Sequence, residues 1–148
     1  MHESQGMTRQ TVLGLMAVLL AALVLAFGCY QYQARNQRVR EARALAQSAL
    51  DSFADFQDTR EEASFRQGTA AFHEFYRASR DLPEMPPPMS QTCNRVHAYL
   101  LYQPERAKQH MEPLMDGLAA LATNPSSMDA YEDLNTFLQE VHVPGTEG

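Results

Sequence analysis

The chain has few of the residues that most site chemistries need. Beyond residue 43 the only glycines are Gly68, Gly117, Gly145 and Gly148, so no glycine-rich loop is available to cradle a phosphate. Cysteine occurs twice, at Cys29 and Cys93, and only Cys93 lies in the C-terminal part, which excludes a disulfide-stapled fold. Lysine occurs once, against eleven arginines. From Ala44 onward seven Lys or Arg face sixteen Asp or Glu, a balance of −9 in a chain whose overall charge is −6. Such a surface repels nucleic-acid phosphate, and no basic stripe with interleaved aromatics compensates, so nucleic acid is not an expected partner.

Catalytic patterns are missing as well. GxSxG, HExxH and CxxCH do not occur. Glu61-Glu62 and Glu132-Asp133 are neighbours in sequence and so point to different helix faces, which does not make an acid/base pair. No stretch alternates like a strand for long, and no internal repeat is visible. The residues therefore point away from an enzyme.

What the chain does have is one long apolar run. Between Arg9 and Arg35 no residue is charged, and the 19 residues from Val12 to Tyr30 are apolar or glycine throughout. A helix rises about 1.5 Å per residue, so this run covers roughly 28 Å, close to the ~30 Å hydrocarbon core of a bilayer. Helix also satisfies its own backbone hydrogen bonds where no water is present. Tyr30 and Tyr32 fall where amphipathic rings favour the membrane interface. Residues 11–31 are read as a transmembrane anchor in the cell membrane, preceded by an N-terminal tail, 1–10. Two other uses of the run stay open. Ala26 and Gly28 are small enough for signal cleavage, though the run is long for that. Leu25-Ala26-Phe27-Gly28-Cys29 also loosely resembles a bacterial lipobox, which makes Cys29 a weak candidate for lipidation; Phe27 and the position of Leu25 depart from that pattern.

The segment 32–43 is basic. Arg35, Arg38, Arg40 and Arg43 are candidates for contact with anionic lipid headgroups, each basic residue near the surface contributing roughly 1 kcal/mol. The same four set against Arg9 favour a cytoplasmic C-terminal part by the positive-inside rule. The short N-terminal tail favours the opposite side, and the sequence leaves the orientation open.

Residues 44–142 read as one acidic helical domain. Val39, Ala42, Ala46, Ala49, Phe53 and Phe56 fall on one stripe of a helix continuing from the anchor. Phe65, Phe72 and Phe75 define a second stripe, core before ligand pocket, and Thr59 with Glu62 forms a capping-box pattern between the two. Pro83 to Met89, with four prolines, is expected to be a stiff, non-helical connector. Ser90 is the expected cap of a helix to Tyr102, and Pro104 the first-turn residue of the next. That helix carries Ala107, Met111, Leu114, Leu118 and Leu121, is kinked or divided near Pro113, and stops at Asn124-Pro125. Ser126 with Asp129 is expected to open the last helix, and 143–148 reads as a disordered tail. The spans are 34–57, 60–81, 90–102 and 104–141 with a break at 124–126. The fold class is all-α: one N-terminal transmembrane helix followed by a small antiparallel bundle of about four helices.

Candidate sites are sparse. Cys93 and His97 are four apart and share a helix face, the spacing of paired metal ligands, but a zinc site needs at least three. They are weak candidates, with His73, Glu74 and His110 able to join only if the fold gathers them. Met85-x3-Met89 and Met111-x3-Met115 beside His110 have the ligand types Cu(I) prefers, yet Met111 is more simply explained as core. No metal or cofactor is expected. The reading that results is a membrane-anchored interaction or accessory subunit. Its partners are lipid and either another protein or a second copy docked along the membrane-proximal helix, unless that helix packs on the Phe65–Phe72–Phe75 helix of its own chain. The competing class is a tethered sensor or binding domain for a small molecule or metal ion.

Overall fold

A computed structural model describes residues 8–82, 85 and 87–141, with the side chains of Pro87 and Pro88 left out. The described residues are helical, without a strand, and form α1 (Arg9–Thr59), α2 (Glu62–Arg80), α3 (Pro87–Tyr102), α4 (Pro104–Gln109), α5 (Met111–Thr123) and α6 (Met128–Glu140). Two compact units divide the chain, Met1–Asn36 and Gln37–Gly148. Most of the N-terminal tail, the connector residues Pro83, Glu84 and Pro86, and the expected tail 143–148 lie outside the described residues.

In the first unit α1 holds an 18-residue window of mean hydropathy 2.7, none of it buried. This helix is long and apolar enough to cross a membrane. In the second unit the helix continues with a different pattern. Ala42, Ala46, Ala49, Phe53 and Phe56 are buried and Val39 is partly so, because spacings of three and four put them on one side. Ala42 already belongs to the core, so the basic segment 32–43 overlaps the domain it precedes.

α1 ends at Thr59 because Arg60 adopts φ 60°, a left-handed conformation costly for a residue with a Cβ. Its N–H still donates to Phe56 O (2.8 Å), closing the last turn. The break thus falls at Arg60–Glu61, just beyond the gap at 58–59 between the expected spans 34–57 and 60–81. The capping box does not form either. Thr59 Oγ1 donates to Asp55 O (2.8 Å) and accepts from the Glu61 N–H (3.2 Å), so the hydroxyl closes the first helix instead of opening the second.

α2 folds back along α1. Ser64 donates to Asp55, Gly68 lies against Phe53, and the Arg38 guanidinium donates to Asp81 O (3.4 Å), so positions rise on one helix as they fall on the other. The Phe53–Phe65 and Phe56–Phe65 ring pairs, 5.7 and 5.4 Å between centroids, join the two apolar stripes. The membrane-proximal stripe is thus taken up inside its own chain. Burying each phenylalanine stabilises by about 1.5–3 kcal/mol.

α3 begins at Pro87, three residues before the expected Ser90 cap. A first-turn N–H has no helical acceptor to lose, so proline is tolerated there, and the prolines that exclude a helix interior open this one. α3 runs back along α2, with His97 on His73 and Cys93 near Ser79. Pro104 is in the first turn of α4, as its fixed φ suits. The expected division near Pro113 occurs at His110, which caps α4 and leads α5. Asn124 ends α5. The cap of α6 is Ser127, not Ser126: its hydroxyl accepts from the Ala130 N–H (3.3 Å), while the Ser126 N–H is held by Asn124 Oδ1 (3.2 Å). Tyr131 OH donates to Pro125 O (2.8 Å) and locks the α5–α6 turn from inside. α6 pairs with α3 in the same direction, Arg95 with Asn135 and Tyr99 with Phe137, because α5 travels back between them.

Candidate functional site

A groove of about 720 Å³ lies on α2, α3 and the start of α4. That volume is within the roughly 300–1,000 Å³ typical of ligand sites. Phe65, Ala70, Leu100, Leu101 and Pro104 make its apolar lining. Leu101, in its lining, is 50% exposed, and the next residue, Tyr102, is 82% exposed. They stay outside because the core stripe of α3 runs through Val96, Tyr99 and Leu100, leaving the next two positions facing away.

Two histidines share this groove. His73 on α2 and His97 on α3 stack with ring centroids 4.5 Å apart and planes inclined at 38°. His73 Nδ1 is buried and has no hydrogen-bond partner. The basicity of His97 is lowered, first by burial and then by the adjacent His73, which favours its neutral ring. Acidic residues mark the rim. Glu62 holds the Lys108 ammonium at 2.7 Å, with Glu105 also at 2.7 Å, and Lys108 lies 5.1 Å from the Phe65 ring centroid. The hydrogen bonds that Lys108 donates to Glu105 and Glu62 raise its basicity. Glu74 is exposed beside Arg77 at 3.7 Å.

Of the residues singled out by spacing, Cys93 and His97 share α3 but not a site. Cys93 faces the core, in hydrogen-bonding contact with Tyr131 and Ser79, and burial pushes its thiol up to about 12. A metal ligand must be the thiolate, which this environment disfavours. His97 is instead gathered with His73, a pair 24 positions apart that no local spacing signals. Among the described residues no group of three or more His, Cys, Asp or Glu comes together to hold a metal ion. Met89 and Met111 are buried in the core, and His110 is exposed between α4 and α5. Phe65, Phe72 and Phe75 are buried core residues, Phe65 also forming part of the groove wall. Cys29 is exposed within the apolar run of α1, and Arg35, Arg38, Arg40 and Arg43 are exposed on the same helix.

No protein-family model matches the chain, and neither a curated protein nor a solved structure matches it significantly.

Proposed function

We propose that this chain is a single-pass membrane protein whose helical domain is a non-enzymatic interaction module, and that the α2–α3–α4 groove receives an apolar-faced helix of a partner protein. The observation that carries the reading is the groove with Leu101 half-exposed in its lining. Helix-in-groove recognition uses such a surface, with anchor side chains at i, i+3, i+4 and i+7 entering an apolar trough. The 19-residue run from Val12 to Tyr30 supports the anchor, its apolar window being unburied. The four arginines from Arg35 to Arg43 suit anionic headgroups beside it. A tether also favours weak interfaces, because a partner in the same bilayer is met at high effective concentration.

Affinity purification of the full chain in mild detergent tests the reading. A stoichiometric membrane partner recovered with the native chain and lost with Leu101→Glu supports it. Leu101 is exposed, so that change leaves the core intact. The stacked His73 and His97 favour a second reading, a tethered binding domain for a small molecule or metal ion. No partner, together with a thermal shift on adding Zn²⁺ or small metabolites that His97→Gln abolishes, selects the second over the first.

A further inference from the structure

On another side of α3 lies a second concavity with different chemistry. α3 and α6 enclose a groove of about 480 Å³, and Arg95 stands in it. Arg95 and His97 are two positions apart and so face different directions on the helix. The Arg95 side chain is part-buried, and among the described residues its hydrogen-bond partner is Asn135 Oδ1, reached through Nη1. Its Nε is buried without any partner. Among the same residues no ion pair joins Arg95 to Glu132, although both line the groove. Met89, Met128 and Tyr131 supply apolar wall.

We infer that this groove binds the carboxylate of a small monoanion with an apolar tail, gripped by Arg95. A guanidinium carries five N–H donors in a planar fork, and Asn135 uses one from Nη1. Nη2 and the second hydrogen of Nη1 remain as a pair of donors that can meet two carboxylate oxygens, Nε being covered. A cation half withdrawn from water without a counter-ion is unfavourable alone, and an anion on that fork offsets the cost. Asn135 holds the fork through Nη1, so the donors are oriented before a ligand arrives. The walls select the tail attached to the carboxylate. Met89, Met128 and Tyr131 offer an apolar wall to an aliphatic or aromatic group, and methionine adapts to its shape. Glu132 carries a negative charge in the same groove, so a second charge on the ligand is opposed and a monocarboxylate is preferred to a phosphate dianion.

Titration calorimetry on the full chain in phosphatidylcholine nanodiscs tests this with three probes: hexanoate, hexanol and inorganic phosphate. Hexanoate should bind saturably to the wild type, and hexanol and phosphate at least about tenfold more weakly, since each lacks one of the two recognised features. Arg95→Gln should weaken hexanoate at least about tenfold with the helical signal unchanged, and Arg95→Lys nearly as much, because an ammonium lacks the fork. Glu132→Gln, at an exposed position, should tighten hexanoate about threefold by removing a like charge, and it carries the test if the Arg95 variants fail to fold. Absence of hexanoate binding, equal binding of hexanol or phosphate, or an affinity unchanged in a folded Arg95→Gln or in Glu132→Gln overturns the inference. Partner capture through the α2–α3–α4 groove does not involve Arg95 and should be unchanged in these variants, so the two readings fail separately.

Discussion

Gly68→Ala sets two effects against each other at the α1–α2 contact. In the middle of a helix the exchange ordinarily stabilises by up to about 1 kcal/mol, because glycine has the poorer helix propensity. Here a Cβ at position 68 would lie 2.6, 2.7 and 3.0 Å from Cε1, Cδ1 and Cγ of Phe53. Ordinary carbon contacts are about 3.5–4.0 Å, so the methyl is about 1 Å too close. The obstacle is a rigid ring, fully buried and packed at 5.7 Å on Phe65, and it cannot swing aside as a flexible chain end would. Overpacking of this kind costs about 1–3 kcal/mol. The steric cost wins, leaving a net loss of about 1–2 kcal/mol. For a unit of this size each kcal/mol lost lowers the unfolding midpoint by about 4 °C. Thermal unfolding of the full chain in detergent, followed by circular dichroism, measures it. A double-mutant cycle supplies the mechanism: in Phe53→Leu the smaller side chain makes room, so Gly68→Ala should cost less in that background than alone. A raised midpoint for Gly68→Ala, or strict additivity in the cycle, refutes the reasoning.

Three further outcomes are expected from named contacts. Ser127→Ala removes the cap of α6 and should cost about 1 kcal/mol in denaturant unfolding, whereas Ser126→Ala and Ser90→Ala should stay within about 0.5 kcal/mol; equal losses would disprove the cap assignment. In a Cys29→Ser background Cys93 should resist maleimide at pH 8 until denaturant is added. Its buried thiol is raised to about 12, so stability from the neutral form is complete below about pH 9 and lost as pH rises toward 12; stoichiometric native labelling would contradict this. His97 is shifted the opposite way: its stability contribution is complete above about pH 6.5 and lost as pH falls through the lowered value, so His97→Gln should flatten the acid limb of an unfolding-midpoint profile, and an unaltered limb would count against it.

Local information carried much of this fold. A 19-residue run without charge is enough by itself to define a helix fit for a bilayer, since length and apolarity are its only requirements. The stripes Ala42–Phe56 and Phe65–Phe75 follow from the helical period, and both are buried. The stop at Asn124 and the start at Pro104 follow from chemistry confined to one turn. Where several polar residues competed for one cap, sequence alone chose wrongly. Ser126 and Ser127 are equally able as caps, and the backbone path set by the Asn124 turn and the Tyr131–Pro125 lock decided between them. The Thr59 hydroxyl likewise had acceptors on both sides of the break and took Asp55 O.

The sites were the least visible part, for a physical reason. Cys93 and His97 look paired because an i,i+4 relation is written in the sequence, yet a helix packed on two neighbours can turn one such residue toward the core and the other toward a groove. His73 meets His97 only because α3 runs back along α2, and Arg95 meets Asn135 only because α6 returns beside α3 after α5. By itself the sequence determined the helical class, the long apolar helix and which faces are apolar, since these depend on periodicity and on side-chain transfer from water. Only the tertiary structure decided which stripes meet, which caps are used and which polar groups share a groove, because those depend on the order and direction in which helices pack, a property of the whole chain.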